Sequence, residues 1–260
     1  MAIQETKQRV RDIAVRMLRN GRGDPLVFLH GAAGFPPWLP FFEKLAERYE
    51  VLIPEHPGFG RSDNPPWIRN IADLAMYYLD FFDELGMTKV HLVGHSLGGW
   101  VAAELATRNV SRLASLTLLA PAGVRVKGIT SGDNFIWSAE ETERNLWHDQ
   151  KFADEVLARV PTDEEADIEL VNRFMAAKFG WEPRWYNPAL ERWLHRIKVP
   201  TLVIWGEQDK LFPSAYAKTW KERISGARVE IIPQCGHRPH IERLDVTAST
   251  ILGFLDGGRR

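Results

Sequence analysis

The sequence predicts an α/β fold in which helices cover both faces of a mostly parallel sheet of eight strands. Short, almost continuously apolar runs recur along the chain, each closely followed by Gly or Pro, with helical segments between them. Strands that are apolar on both faces are buried on both faces, which is typical of parallel sheets. The runs are Leu26–Leu29, Val51–Ile53, Val90–Val93, Leu116–Leu119, Leu202–Trp205 and Val229–Ile232.

Two more strands are predicted before these runs. Residues 1–20, which include Arg9–Met17, have the pattern of an antiparallel pair at the edge of a sheet, and Asn20–Pro25 is the turn that follows. A helix is predicted between the second and third apolar runs, because apolar residues there repeat at helical spacing and Gly86 follows them. Those residues are Ile71, Leu74, Ala75, Tyr78, Phe82 and Leu85.

The alternation of strands and helices is interrupted between Leu119 and Leu202, where helical patterns occur without a clear strand. A structureless loop of that length is uncommon in a compact domain. We therefore expect a helical cap at residues 124–195, inserted after the sixth strand and packed over the carboxyl edge of the sheet. Residues 1–123 and 196–260 then form the core domain.

The composition is that of an ordinary globular protein, with 45% hydrophobic residues, 26% charged residues and a net charge of −1. A nearly neutral surface gives no reason to expect nucleic acid or anionic lipid as a partner. The N-terminal residues lack the apolar core of a signal peptide, and no apolar run is long enough to span a membrane. A single cysteine forms no internal disulfide and is compatible with the cytosol. We expect a cytoplasmic monomer or homodimer.

The stretch Gly94–Gly98 (GHSLG) lies between a predicted strand and a predicted helix. A serine on such a sharp turn has a strained backbone and presents its hydroxyl above the sheet edge. Glycine is required on either side because side chains there would collide with the neighbouring strand and helix. The N–H groups that follow lie at a helix N-terminus, where developing negative charge is stabilised. This context predicts Ser96 as a nucleophile.

A serine hydroxyl needs a base to take its proton, and the base needs a third group to orient it. Asp209 follows the strand that ends at Trp205, and His237 follows the last strand. All three residues thus fall at the carboxyl ends of strands, where open sheets bind ligands. We predict a triad of Ser96, His237 and Asp209, with Glu207 as a rival acid in the same turn.

The chain resembles the α/β-hydrolase superfamily over nearly its whole length. The matching motifs are the oxyanion loop (His30–Gly34), the P-G-x-G-x-S turn (Pro57–Ser62), the nucleophile elbow (Gly94–Gly98), the acid turn (Trp205–Asp209) and the histidine segment (Gly236, His237 and Glu242). The resemblance implies a serine hydrolase without a cofactor, in which the N–H groups of Ala32 and Leu97 stabilise the oxyanion. Dehalogenases and epoxide hydrolases of the superfamily carry aspartate in place of Ser96. Some relatives carry the acid after the earlier strand, where Ala120–Gly123 offers no carboxylate.

The remaining histidines and the cysteine have structural explanations. We expect His30 to orient the oxyanion loop and His95 to be a wall residue rather than a base. His240 is interpreted as a surface residue in preference to one at the pocket rim. Cys235 is interpreted as a small buried hydrophobe. No H-x-x-x-H or H-E-x-x-H spacing occurs, so no metal site is predicted.

The predicted cap is rich in Trp and Phe and also contains the acidic run Asp163–Asp167. The acidic run predicts a solvated helix face, and the aromatics predict the side turned to the sheet. Such a cap encloses an apolar slot above Ser96. The residues expected to line the slot are Phe35, Trp137, Trp147 and Phe212.

These features favour a carboxylic ester hydrolase that cleaves small to medium apolar esters through an acyl-enzyme. Two alternatives stay open. A carbon–carbon bond or lactone hydrolase could use the same triad, although His30–Pro36 departs from the H-G-x-G-P-G loop of carbon–carbon bond hydrolases. A hydrolase-like ligand receptor with little turnover would retain the pocket for binding alone.

Overall fold

The computed structural model describes residues 2–257, in which eight strands form one sheet. The strands are β1 (Gln4–Val10), β2 (Ile13–Asn20), β3 (Pro25–Leu29), β4 (Glu50–Pro54), β5 (Val90–His95), β6 (Leu113–Leu119), β7 (Thr201–Gly206) and β8 (Arg228–Ile232). Each predicted apolar run lies within one of β3 to β8, and the predicted N-terminal pair is β1 and β2.

The strand order is β1-β2-β4-β3-β5-β6-β7-β8. The pairs β1–β2 and β2–β4 are antiparallel, and the other pairs are parallel. The chain runs from β3 outward to β4 and then returns to the other side of β3 as β5. Open sheets bind ligands at the carboxyl ends of strands where the order reverses in this way. The loops after β3 and β5 therefore meet at the position expected for a site.

Ten helices occur among the described residues. They are α1 (Pro40–Ala46), α2 (Ile71–Glu84), α3 (Leu97–Arg108), α4 (Ala139–Leu146), α5 (Gln150–Ala158), α6 (Asp163–Gly180), α7 (Leu190–Trp193), α8 (Tyr216–Arg223), α9 (Pro239–Glu242) and α10 (Leu244–Gly257). A 3₁₀ turn, Leu194–Arg196, follows α7. None of the helices between residues 2 and 257 has both the length and the apolarity to cross a membrane.

The sheet separates two apolar layers because successive side chains of a strand point to opposite faces. In β3, Val27 and Leu29 belong to one buried cluster, whereas Leu26 and Phe28 belong to the other. Helices α2, α3 and α8 contribute to the first cluster, and α1 and α10 contribute to the second. Burial of the central strands on both faces explains their continuous apolar sequence.

The helices α4 to α7 lie between β6 and β7, as predicted for an insertion after the sixth strand. The base of this segment is closed by backbone pairing. Gly123 N–H donates to Trp185 O at 2.8 Å, and Asn187 N–H donates to Gly123 O at 3.0 Å. The side chain of Asn187 donates to the buried Glu104 carboxylate of α3 at 2.6 Å. The limits of the cap, residues 124–195, stay a prediction.

The acidic run of the inserted segment forms the first turn of α6. Thr162 caps the helix, and Glu165 completes a capping box. Acidic side chains in this position are favoured by the helix dipole and satisfy free N–H groups. The expectation that the aromatics of this segment turn inward is only partly met, since Phe174 and Trp181 are 61% and 53% exposed.

Candidate active site

Ser96 stands at the turn between β5 and α3 with a φ of 53°. A positive φ is rare outside glycine and is strained for serine. Backbone hydrogen bonds hold the turn. Ser96 N–H donates to Leu119 O at 2.9 Å, and Ser96 O accepts from the N–H groups of Trp100 and Ala122, each at 3.1 Å. The predicted strained turn is therefore present.

The glycines on either side of Ser96 have no room for a side chain. A Cβ added to Gly94 would lie 2.4 Å from Gly98 O, and one added to Gly98 would lie 2.1 Å from Leu29 O. Strand β3, strand β5 and helix α3 thus approach one another at backbone distance. This close approach fixes the position of the serine hydroxyl relative to the neighbouring loops.

Three side chains predicted from separate motifs meet at the carboxyl edge of the sheet. His237 Nε2 lies 2.9 Å from Ser96 Oγ, and His237 Nδ1 lies 2.8 Å from Asp209 Oδ2. All three side chains are buried: His237 is 3% exposed, Ser96 is 7% exposed and Asp209 is 5% exposed. With a proton on Nδ1, the neutral imidazole donates to the carboxylate and accepts from the serine hydroxyl through Nε2. The geometry is that of a nucleophile, a base and an orienting acid.

The carboxylate of Asp209 is surrounded by donors. Its Oδ1 accepts from the N–H groups of Leu211 and Phe212, each at 2.9 Å. Its Oδ2 accepts from Trp205 Nε1 at 3.1 Å as well as from His237. Four donors therefore hold this buried side chain in one orientation toward His237. The rival acid, Glu207, is exposed, and its carboxylate accepts from the neighbouring Gln208 amide.

The loop that carries His237 is held by the inserted segment. His237 N–H donates to Leu146 O, at the end of α4, at 2.8 Å. The buried Glu242 carboxylate accepts from Gly236 N–H at 2.6 Å and from Asp149 N–H at 2.5 Å. The sequence motif includes Glu242, but it does not predict the hydrogen bond between Asp149 N–H and Glu242. Nothing in the local sequence indicates a contact over so many residues.

Two further histidines pack beside His237. His95 Nε2 donates to His237 O at 2.9 Å, which agrees with a wall position. The interpretation of His240 as a surface residue is wrong, because only 5% of it is exposed. Its ring lies 4.5 Å from that of His95 and 5.5 Å from that of Phe28. The short helix α9 turns this side chain inward, and nothing in the local sequence specifies that direction.

Burial lowers the pKa of His240 to about 3, so its ring is neutral in the folded protein. In the unfolded chain a histidine has a pKa of about 6.5 and takes up a proton as the pH falls below that value. Because only the unfolded state gains this proton, stability is lost as the pH falls from about 7 to about 5. One such group lowers the free energy of unfolding by about 2 kcal/mol over that range.

We expect His240→Phe to remove about 2 kcal/mol of this pH dependence, measured by urea unfolding at about pH 7 and about pH 5. A phenyl ring suits the site because Nδ1 of His240 is buried without a hydrogen-bond partner in the described part of the chain. His148, which is exposed, supplies the control variant His148→Gln. An unchanged pH dependence in His240→Phe would contradict this explanation.

His30 and His56 hold the start of the oxyanion loop, as expected for His30. His56 N–H donates to His30 Nε2, and His56 Nε2 donates to His30 O, both at 2.9 Å. Burial lowers the pKa of His30 to about 4, and burial also lowers the pKa of His56. Both rings are therefore neutral, and their hydrogen bonds fix the backbone where the loop begins.

The two predicted oxyanion donors belong to two segments next to Ser96. Leu97 is the first residue of α3, where a backbone N–H has no partner within the helix. Ala32 follows Gly31, and a Cβ added to Gly31 would lie only 3.3 Å from Ser96 Cβ. The loop that contains Ala32 therefore passes directly beside the serine.

The structure places two of the four predicted slot residues next to the His237 loop. The ring of Phe212 is 5.4 Å from that of His237, in an edge arrangement. Trp147 is buried and stacks on Phe152 at 5.0 Å. Phe35 lies against His30, and Trp137 packs on Gly132 within the inserted segment. Their contact with a substrate stays a prediction.

Between residues 2 and 257, no three His, Cys, Asp or Glu side chains form a group that could hold a metal ion. Cys235 is buried next to the histidine loop, and its burial raises the pKa of the thiol. A thiol of that kind is not a nucleophile at neutral pH.

Comparisons with known proteins concern the family and the fold of this chain. The family model described as "Alpha/beta hydrolase family" matches residues 26–250. The chain is 30% identical over 257 residues to the dihydrolipoyllysine-residue acetyltransferase component of the acetoin cleaving system from Cupriavidus necator, covering 94% of this chain and 67% of the relative. It is 28% identical to the 2-hydroxymuconate semialdehyde hydrolase of Pseudomonas sp. strain CF600, covering 91% and 88% of the two chains.

The solved structures add the fold. The 2-hydroxy-6-oxo-6-phenylhexa-2,4-dienoate hydrolase from Rhodococcus sp. strain RHA1 superposes with a TM-score of 0.80 at 22% identity, covering 98% of this chain and 99% of that one. At this identity the likeness concerns the arrangement of strands and helices.

Proposed function

Because the chain belongs to the alpha/beta hydrolase family, we propose that it is a serine hydrolase that cleaves small to medium apolar carboxylic esters through an acyl-enzyme. The observation that carries this proposal is the buried hydrogen-bonded chain from Ser96 Oγ through His237 to Asp209. A serine in that chain can attack a carbonyl carbon without a metal ion or an organic cofactor.

In the proposed mechanism Ser96 Oγ attacks the ester carbonyl while His237 Nε2 takes the hydroxyl proton. His237 then gives this proton to the leaving alcohol as the C–O bond breaks, which leaves Ser96 acylated. A water molecule loses its proton to the same nitrogen, attacks the acyl group and releases the acid. Asp209 keeps the imidazole in the tautomer that accepts at Nε2 and stabilises its charged form.

The oxyanion is assigned to the N–H groups of Leu97 and Ala32. Leu97 is the first residue of α3, so its N–H lies at the positive end of the helix dipole. The loop that contains Ala32 approaches Ser96 at Gly31, which supports Ala32 as the second donor. Two preset donors in a buried site stabilise the tetrahedral intermediate more than the neutral ester, which accelerates the chemical step.

The neighbourhood of the triad favours an uncharged substrate. Phe212 lies on His237, and Phe35 packs against His30, where the oxyanion loop begins. Arg238, the basic residue next to His237, has its guanidinium over the Trp147 ring at 4.7 Å and 3.5 Å from Glu143. Its charge is therefore already matched within the protein, and little attraction remains for a substrate carboxylate.

Carbon–carbon bond hydrolysis is the second candidate. The similarity to a 2-hydroxymuconate semialdehyde hydrolase favours it, because that substrate contains a carboxylate but no ester. A lactone hydrolase and a receptor with little turnover remain further alternatives.

For the whole molecule we propose a cytoplasmic monomer or homodimer whose cap, residues 124–195, encloses the slot above Ser96. The single free cysteine supports a reducing compartment.

A series of p-nitrophenyl esters of increasing acyl length tests the substrate proposal. Each added methylene buried in an apolar slot contributes up to ~0.8 kcal/mol, so kcat/KM should rise up to about fourfold per methylene until the slot is full. A hemisuccinate ester of matched length, which carries a carboxylate, should react more slowly. The Ser96→Ala variant supplies the background rate.

Equal activity across acyl lengths, or preference for the anionic ester, would contradict an apolar slot. Turnover of a 2-hydroxy-6-oxo-dienoate without turnover of any ester would replace the proposal with carbon–carbon bond hydrolysis. Binding of esters without sustained product release would support the receptor alternative.

A further inference from the structure

We propose that Asn172, a residue of helix α6 in the inserted segment, is a positioning residue that sets the oxyanion loop, residues 31–34. The inference rests on the proposed function, because it concerns the N–H of Ala32 as an oxyanion donor. No sequence motif points to Asn172, which lies far along the chain from the loop.

The side-chain amide of Asn172 is buried, and both its oxygen and its nitrogen form hydrogen bonds. It is 6% exposed, its Oδ1 accepts from Gly60 N–H at 2.9 Å, and its Nδ2 donates to Ala33 O at 3.3 Å. The two partners fix the orientation of the amide, since Gly60 N–H can only donate and Ala33 O can only accept. A buried amide with specific partners on two loops connects them rigidly.

One of these partners is a turn that the core domain already immobilises. The carboxylate of Glu55 accepts from Arg61 N–H at 2.9 Å and from Ser62 Oγ at 2.8 Å. The same turn is closed by Gly58 N–H, which donates to Asp63 O at 2.8 Å. Because hydrogen bonds fix this turn, the turn holds Asn172 in place. Asn172 therefore restrains the position of its other partner, Ala33.

The oxyanion loop is shaped to receive the amide. Gly34 has a φ of +103°, and a Cβ added there would lie 2.1 Å from Asn172 Nδ2. Gly34 N–H donates to Gly31 O at 3.1 Å, which closes the loop around Ala32 and Ala33. Ala33, whose carbonyl oxygen accepts from Asn172, directly follows Ala32, the residue of the proposed donor N–H.

In this arrangement the geometry of the oxyanion hole depends on the position of α6 relative to the oxyanion loop. Oxyanion donors act only within a narrow range of distance from the developing charge, and a displaced donor loses most of its effect. Releasing Ala33 O should therefore weaken binding of the transition state while leaving binding of the neutral ester almost unchanged. The expected signature is a fall in kcat with little change in KM.

Asn172→Asp isolates the contact to the loop. The ionised carboxylate still accepts from Gly60 N–H, but it cannot donate to Ala33 O and repels it. When protonated, the new carboxyl can donate to Ala33 O again. We expect kcat to fall by about ten- to a hundredfold at about pH 8 and to recover toward the wild-type value at about pH 6, since burial raises a carboxyl pKa.

Asn172→Ala should lose a similar factor at both pH values, because it can form neither contact. Arg173→Ala, at the exposed neighbouring position, is the control and should match the wild type throughout. Each variant is compared by its circular dichroism spectrum, its Tm and its kcat and KM on one p-nitrophenyl ester. A merely structural role of Asn172 predicts a lower Tm without pH-dependent recovery of kcat in Asn172→Asp.

The outcomes separate the two proposals. If the wild type hydrolyses esters and Asn172→Asp has the wild-type kcat at about pH 8, the positioning role is overturned and the hydrolase proposal stands. A pH-independent loss in Asn172→Asp also overturns the role. If the wild type hydrolyses no ester, the proposed function fails, and the assignment of Asn172 to an oxyanion loop fails with it.

Discussion

Ser96→Ala is expected to fold normally and to lose ester hydrolysis by a factor on the order of 10³ or more. The hydrogen bonds that hold this turn come from the backbone N–H and C=O of Ser96, which alanine retains. The only group removed is Oγ, which lies 2.9 Å from His237 Nε2 and forms the covalent bond in the proposed mechanism. The measurement is kcat/KM on the preferred ester, with Tm and near-ultraviolet circular dichroism as folding controls.

Residual activity in this variant is informative. Removal of a triad member leaves the oxyanion donors and the binding site intact, so a rate above the uncatalysed hydrolysis is still expected. A kcat/KM within tenfold of the wild type, in a folded protein, would rule out Ser96 as the nucleophile. The reaction would then proceed by direct attack of water.

Asp209→Asn is expected to lower kcat by a factor on the order of 10² to 10⁴. The four donors around this side chain determine how the amide of the variant is oriented. That orientation disfavours the His237 tautomer that catalysis needs. If the amide oxygen keeps the N–H groups of Leu211 and Phe212, the amide NH₂ faces His237 Nδ1, which must then accept. The imidazole proton moves to Nε2, which can no longer accept the proton of Ser96.

Glu207→Gln is the matched control for Asp209→Asn, because both replace a carboxylate of the same turn with its amide. Glu207 is exposed and its carboxylate contacts Gln208, so this variant should keep kcat within about twofold of the wild type. If Glu207→Gln caused the larger loss, the orienting acid would have been assigned to the wrong residue.

The sequence was most informative where function depends on a short segment. The strand–GHSLG–helix pattern predicted the position of Ser96 and the reason for its flanking glycines, since both are properties of one turn. Asp209 and His237 could be predicted because each follows an apolar strand, and parallel strands present their carboxyl ends at one edge. Strand identity and order of motifs were therefore enough to bring three distant residues together.

The contacts between the inserted segment and the core could not be predicted in the same way. Asn172 is one polar residue in a helix whose acidic first turn gave the stronger signal. Its contacts with Ala33 and Gly60 depend on how α6 docks, which no periodicity encodes. His240 was misinterpreted for a related reason. Its burial follows from the direction of the short helix α9, which the local sequence does not specify.

The proposed acyl-enzyme on Ser96 is tested most directly by mass spectrometry. The wild type is mixed with a p-nitrophenyl ester and quenched in acid during turnover, and the protein is then digested and its peptides are mapped. The mechanism predicts one acyl group per chain, located on Ser96 and absent from Ser96→Ala treated in the same way. Rapid turnover with no acylated peptide, or an acyl group that persists elsewhere when Ser96 is replaced by Ala, would contradict it.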